Sequence, residues 1–583
     1  MVDLRLYRLA FLPALLATIA TMFSLEGPPE PLEPAAATAT FEGGRALAVA
    51  RQVASLAPAR EAGSEADLEA TRIVAEQFDE VRAGTVSEQS FERELDGERV
   101  ELSNVSLTLP GDVPAAIVVL AARDAAEGTG ASASAAATGV LVELASALGT
   151  AGHERTLILA STSGAGAGSG GARELLDAIA ATNPVEAVIV VSQPGSPERR
   201  QPHVIATSTA ESSASAQLER TAALAVSDQA GVENDSPTAF GQLSRLAFPS
   251  GLGAQAPLIA AGVDAIAISS AGELPLSPSL AESEPSTANL SAFGRAAQAT
   301  VGALDAAPGP PEHGPESYIE LSNNLVPGWS LALLGLALIL PAAIAAVDAL
   351  ARAARRSLEP SCGVAWAAAR SLPFLGALGA LYGLAVLGLV PRPQFPFDPG
   401  LHPLGWRAAI AAVLIPAAAA VSAYLLRRPR DSRTARADAP ESATPAAGVL
   451  ATAASLLIWL MNPYLGLLVS PAAHVWVLAM SGAGRSRQLL VGLAGVGALV
   501  PVAAALASVA AALELGADAP WTFGLMIADG QIGLPLALAG VVLAGSLLAA
   551  ILAARISQPA SGAQSQVPPR IGTPASPGHR PGN

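Results

Sequence analysis

Ala116-Ile-Val-Val-Leu120 and Thr156-Leu-Ile-Leu-Ala160 are the two runs whose reading decides the fold. Each is a short, continuous apolar segment that ends in small residues and is followed by a helical pattern. The first stops at Ala121-Ala-Arg-Asp124, and a loop from Gly128 leads to a helix over Thr138–Leu148. The second ends in Ser161-Thr-Ser-Gly-Ala-Gly-Ala-Gly-Ser-Gly-Gly171, ahead of a helix over Ala172–Ala181. Unbroken apolar strands alternating with helices imply an α/β layer sandwich, with a mixed, mostly parallel sheet buried on both faces. In such sheets ligands gather beyond the carboxyl ends of the strands, so chemistry is expected in the loops at 121–134 and 161–171. Those loops hold mostly Ala, Ser and Gly.

Outward from this stretch, Val185–Ser192 and Val263–Ser269 read as further buried strands. Glu92–Val105 alternates like a half-exposed strand or hairpin with Asp96-Gly97 at its turn. Arg45–Val81 carries two helical blocks around Arg60-Glu-Ala-Gly-Ser64, a turn that ends in an N-cap residue. Residues 194–258 are rich in Ser, Ala and Gln and weakly patterned, and Leu290–Leu304 closes the soluble part as a helix.

The 583 residues divide sharply by charge. Residues 1–326 hold 17 Arg against 40 Asp and Glu, a net of −23, and residues 327–583 hold 16 Arg against 9 acids, a net of +7, which sum to the chain's −16. Mean hydropathy is +0.44, too apolar for an ordinary soluble domain alone. An acidic soluble half is therefore joined to a basic, membrane-like half. The acidic half argues against nucleic acid as a partner, and a single cysteine, Cys362, excludes an internal disulfide or a Cys-based zinc cluster. Every basic residue is Arg, which with the load of Ala, Gly and Pro is consistent with a GC-rich coding bias.

The resulting division is an N-terminal anchor or signal over 1–25, a linker over 26–41, and an extracytoplasmic domain over 42–306. A Pro-rich linker over 307–326, a membrane domain of about seven helices over 327–556 and a disordered cytoplasmic tail over 557–583 complete it. Arg5 and Arg8 precede the apolar run Leu9–Leu25, and without a small-x-small cleavage site before Glu26 a retained anchor is favoured over a signal peptide. Apolar spans near 327–347, 370–390, 407–426, 446–461, 464–480, 489–513 and 532–554 approach the ~20 residues that cross a bilayer. Arg352, Arg355 and Arg356 follow the first, Arg427, Arg428, Arg430, Arg433 and Arg436 the third, Arg485 and Arg487 the fifth, and Arg555 the seventh. The intervening loops, 391–406, the turn at 462 and 514–531, are poor in Arg. The positive-inside rule then puts residues 26–326 outside a cell membrane and the tail inside.

In order and spacing, the soluble half resembles the M28 family of zinc aminopeptidases over about residues 45–305. The likeness is carried by Arg60–Ser64 with its following helix, by Asn104-Val105 and the strand 116–120, and by Gly130-Ala-Ser-Ala-Ser-Ala-Ala-Ala-Thr-Gly-Val-Leu-Val-Glu143. With its membrane half, the chain is similar to relatives in which such a domain precedes several spans, including a subunit of the GPI transamidase. The resemblance implies two zinc ions held by His and carboxylates, with a Glu activating the bridging water. Carried over by position, the family's His-x-Asp becomes Ala122-Arg123-Asp124, its bridging Asp falls on Ala133, and its Glu-Glu pair falls on Ser163-Gly164. The next acidic ligand falls near Ser192, and no His stands in 265–300. Asp124 alone survives as a candidate ligand, and a carboxylate beside Arg123 at a strand end reads more readily as a solvated or loop-capping group.

The expectation is a catalytically inactive peptidase-like domain, without zinc or another cofactor, that binds a peptide or protein partner or scaffolds a complex. The alternative is an active zinc metallohydrolase with displaced ligands, for which Asp124, His153 and His203 are the candidates. A third possibility makes the membrane bundle the functional part and the soluble domain its accessory.

Three sharper motifs weigh less. Gly166-Ala-Gly-Ser-Gly-Gly171 fits the dinucleotide fingerprint, but Val190-Val-Ser-Gln193 lacks the acid that would hold a ribose. Ser169 resembles a nucleophile elbow without a patterned His, since His203 and His313 have no such context. His474, inside the 464–480 span, is either a functional intramembrane group or a hydrogen-bond partner for a neighbouring helix. Asp348, at a span end, needs no special role.

Overall fold

A computed structural model describes residues 4–34, 40–55, 60–95, 98–125, 131–165, 168–195, 201–231, 237–273, 285–427, 441–480 and 485–556. The Asp96-Gly97 turn, the loop at 126–130, Gly166-Ala167, the arginines at 428–440 and the tail from 557 lie outside these residues.

Nine strands are described in chain order: β1 Thr85–Leu95, β2 Glu98–Leu109, β3 Gly111–Ala122, β4 His153–Thr162, β5 Val185–Ser192, β6 His203–Ile205, β7 Ala265–Ser269, β8 Tyr318–Leu321 and β9 Asn324–Pro327. The first seven form one sheet in the order β1-β2-β4-β3-β5-β7-β6. β4, β3, β5 and β7 run parallel, while β1, β2 and β6 are antiparallel. The apolar runs of β3 and β4 sit at its centre, buried on both faces. The helix after β3 begins at Ala131, a full two turns before the Thr138 expected from sequence. Alanine, with the best helix propensity, extends it through the stretch that reads as loop.

The helix Glu65–Glu80 shows how local sequence fixes an element. Ser64 caps it, accepting from the Asp67 N–H at 3.2 Å. Ala70, Ile73, Val74 and Phe78 recur at helical spacing and are buried. Gly139, on the helix Ala131–Leu148, is required by contact: a Cβ there would come within 2.2 Å of the Ala46 carbonyl on the helix Gly43–Ala54.

Among the described residues, seven helices are long and apolar enough to cross a membrane: Arg5–Phe23, Gly328–Arg355, Pro360–Val386, Trp406–Leu426, Ala443–Met461, Arg485–Ala512 and Leu534–Ala554. The 464–480 span differs from expectation. It is a shorter broken element, with α-helix over Pro463–Val469, a 3₁₀ segment over Ser470–His474 and α-helix again over Val475–Ala479. Pro471 removes one helical donor at the break. The C-terminal half therefore carries six long apolar helices and one broken one, and the seventh long helix is N-terminal.

That N-terminal helix packs on Gly328–Arg355, with Ala14 and Ala17 buried against Ala337. The Tyr7 hydroxyl donates to His474 Nδ1 at 2.7 Å, and His474 Nε2 donates to the Leu338 carbonyl at 2.8 Å. Both ring nitrogens are thereby used between helices. Asp348 pairs with Arg352 one turn on, at 2.8 Å.

The three Arg-poor loops all touch the sheet domain. The Gly168 N–H donates to the Pro396 carbonyl at 3.2 Å. Asn462 donates to the Leu246 carbonyl at 3.0 Å, and Gln531 to those of Thr209 and Pro249 at 2.9 and 3.0 Å. Alternate loops thus lie on the sheet domain's side, and the carboxyl edge of the sheet faces the membrane helices.

Candidate functional site

The segments singled out in the sequence converge at the carboxyl edge of β3 and β4. Arg60 and Ala125 exchange backbone hydrogen bonds of 2.9 Å each, which brings the Arg60–Ser64 turn against the Arg123-Asp124 end of β3. Ser163 follows β4, Asn104 lies on β2, and Ser134 stands in the first turn of Ala131–Leu148.

The polar groups there are directed at one another. Arg123 and Asp67 form an ion pair of 2.9 Å with both side chains fully buried. Arg123 also donates to the carbonyls of Ser103 and Ser161, at 2.5 and 3.0 Å. Asp67 accepts from the Ser163 hydroxyl at 2.6 Å and from the Gly63 N–H at 3.0 Å. Arg60 is also fully buried; its Nε donates to the Arg123 carbonyl and its Nη2 to the Ser134 hydroxyl. The Ser134 hydroxyl in turn donates to the Arg123 carbonyl at 2.6 Å.

Asn104 ties the glycine loop to the sheet. Its Nδ2 donates to the Gly171 carbonyl at 2.9 Å, and its Oδ1 accepts from the Ser163 N–H at 3.4 Å. Gly171 is required, because a Cβ there would meet the Ser163 carbonyl at 2.2 Å. Close packing, and not an open anion cradle, is the use of that glycine.

Asp124 accepts from the Ala165 N–H at 3.0 Å. Burial, and then the Asp67 carboxylate, push its pKa up to about 6, against the pull of Arg123 and of the Ala165 N–H.

A zinc centre does not fit this donor set. Zinc needs imidazole, thiolate or free carboxylate donors; Asp67 Oδ2 is taken by the Ser163 hydroxyl and the Gly63 N–H, and Oδ1, which makes no hydrogen bond, faces the Arg123 guanidinium at 2.9 Å. Two buried guanidiniums, Arg60 and Arg123, put positive charge into the same cluster. Among the described residues no group of three or more His, Cys, Asp and Glu could hold a metal ion.

The alternative set of Asp124, His153 and His203 is not brought together. His153 opens β4 at the amino edge, opposite Gly111, and bonds Asp305 at 3.0 Å and the Leu148 carbonyl. β4 is ten residues long, so at about 3.3 Å per residue His153 and Asp124 stand roughly 30 Å apart. His203 is on edge strand β6, with β5 and β7 between it and β3. The physical reason is register: His153 starts the strand whose other end reaches the site.

Ser169 has a left-handed φ of +54° ahead of the helix Gly170–Ala180. His313 is committed elsewhere, 3.4 Å from Asp264. Glu143 points away from the site and accepts the Glu42 N–H.

No protein-family model matches this chain, and no curated protein matches it. Among solved structures, a glutaminyl cyclase from an Acidobacteriales bacterium is similar at 16% identity and TM-score 0.38, covering 48% of this chain and 98% of its own. An aminopeptidase from Aneurinibacillus sp. strain AM-1 is similar at 12% identity and TM-score 0.37, covering 47% and 96%. A zinc aminopeptidase from Bacillus subtilis is similar at 11% identity and TM-score 0.33, covering 45% and 94%.

Proposed function

We propose that this chain is a membrane-anchored protein of M28 peptidase-like ancestry whose metal site has been replaced by a closed network of Arg, Asp and Ser. Its sheet domain serves outside the cytoplasm as a binding or scaffolding module for a peptide or protein. The observation that carries the reading is the fully buried Arg123–Asp67 pair, with Ser163 hydrogen-bonded to Asp67 at a position where the resemblance expects a catalytic carboxylate.

A hydrolase of that family needs free donors at this edge of the sheet, and here the donors are used in holding β3, β4 and the helix Glu65–Glu80 together. Sidedness is supported by charge, since the loops touching the sheet domain are those poor in Arg. The test is hydrolysis of aminoacyl-nitroanilides by the full chain in detergent, with and without added zinc. No zinc-dependent turnover is expected, and turnover abolished by a chelator and restored by zinc would overturn the reading.

A further inference from the structure

A separate cavity of about 340 Å³ lies where the sheet domain meets the membrane helices. Its walls come from the segment after β6, the helix Ala239–Ala247, β8 and the last turns of the helix Arg485–Ala512. The volume falls in the range that small organic ligands occupy. It shares no residue with the Arg123–Asp67 network and does not depend on how that network is read.

Three carboxylates line it: Glu219, Glu273 and Glu320. Glu273 is neutralised by Arg245 at 2.7 Å, and its other oxygen accepts from the Leu252 N–H at 2.8 Å. Glu320 pairs with Arg220 at 3.0 Å. Glu219 has the Tyr318 hydroxyl on Oε2 at 3.1 Å and no ion pair among the described residues. Arg245, the lining arginine, is saturated by Glu273 and by Ser250. With histidine counted neutral, the cavity is left with one uncompensated carboxylate. Leu246, Ala511 and Ala512 give it an apolar side.

We propose that this cavity binds a small organic cation, a primary amine on a compact apolar body, with Glu219 as its counter-ion. An ammonium donates to the Glu219 oxygen that Tyr318 does not use, and a charge-assisted hydrogen bond of this kind is about twice as strong as a neutral one. The apolar body rests on Leu246, Ala511 and Ala512. Burial raises the Glu219 pKa in the empty cavity, so a bound cation recovers a charge that the protein alone solvates poorly. An anion is disfavoured, because both neighbouring guanidiniums are already paired.

The probe is benzylamine, with benzyl alcohol as its uncharged counterpart, titrated by calorimetry into the full chain in lipid nanodiscs. The wild type is expected to bind benzylamine, Glu219→Gln to bind it at least about tenfold more weakly, and benzyl alcohol to bind both forms equally weakly. Ala512→Phe fills the cavity from the membrane side without touching Glu219, and is expected to abolish benzylamine binding. It decides the question if Glu219→Gln fails to fold. Equal affinity for amine and alcohol, undiminished binding by either variant, or no benzylamine binding at about 10 mM would overturn the proposal.

Discussion

The Arg123 guanidinium and the Asp67 carboxylate meet at 2.9 Å with neither side chain exposed. One closes β3 and the other opens the helix Glu65–Glu80, so the pair joins two elements 56 residues apart in the chain. Removing one partner of a buried pair leaves an uncompensated charge and costs about 3–5 kcal/mol. Arg123→Met is therefore expected to lower the melting temperature sharply. The double variant with Asp67→Leu should lose less than the two single losses summed, because the second change removes the orphaned charge. Thermal unfolding of the full chain in detergent, run as a double-mutant cycle, checks this. Additive losses would mean that the pair contributes nothing as a pair.

Asp124 gives a pH dependence opposite in sign to that of an ordinary ion-paired acid. Its folded pKa, about 6, lies above the unfolded value of 3.8. The folded state therefore binds more protons between those values, and this group's contribution is favourable below about pH 4 and falls as pH rises towards 6. The upper bound is about 3 kcal/mol, reduced because part of the residue remains accessible. Asp124→Asn removes the dependence. The melting temperature of this variant relative to wild type is expected to climb from pH 4 to pH 7, and a constant difference would refute the assignment.

Cys362 is exposed and is the chain's one cysteine, so it reports topology without engineering. It follows the Arg352–Arg356 cluster and sits in the first turn of the helix Pro360–Ala368, where the span Pro360–Val386 begins, on the side away from the sheet domain. A membrane-impermeant maleimide should label it in inverted vesicles and leave it unlabelled in intact cells. Labelling of intact cells would reverse the topology.

The N-terminal helix is held by a side-chain contact typical of a permanent element. Tyr7 reaches His474 at 2.7 Å, Phe11 stacks on the same imidazole, and the Thr21 hydroxyl donates to the Ser330 carbonyl. Retention of Leu4–Phe23 in the mature protein is the expected outcome, and intact mass spectrometry reads it directly. Tyr7→Phe should cost about 1 kcal/mol and leave the mass unprocessed. A mature chain beginning near Glu26 would exclude a retained anchor.

The strands were legible because β3, β4 and β5 are buried on both faces, and unbroken runs of Val, Ile, Leu and Ala have few other homes. Their place at the centre of the sheet follows from the same composition. The Arg60–Ser64 turn and Asn104 could be picked out by spacing, and they do meet at the carboxyl edge. Asp67 could not. An acid in the first turn of a helix reads as a favourable charge at its N-terminus, and only the fold shows that Arg123 and Ser163 reach it. Ser134 escaped for a related reason: hydroxyls in an Ala-Ser run carry no period. Nor did a window of hydropathy reveal that 463–479 is broken, since the break is a backbone event at Ser470–His474 inside a uniformly apolar stretch. His474 was visible as an ionisable group in a span, but its partner Tyr7 lies 467 residues away.

The most direct test of the central claim is the zinc content of the full chain, purified in detergent, incubated with zinc and desalted. Inductively coupled plasma mass spectrometry is expected to find well under one zinc per chain, because the donors at the carboxyl edge are already bound to Arg123, Ser163 and backbone N–H groups. Retention of about two zinc ions per chain, lost on acidification, would contradict the account and restore a metallohydrolase.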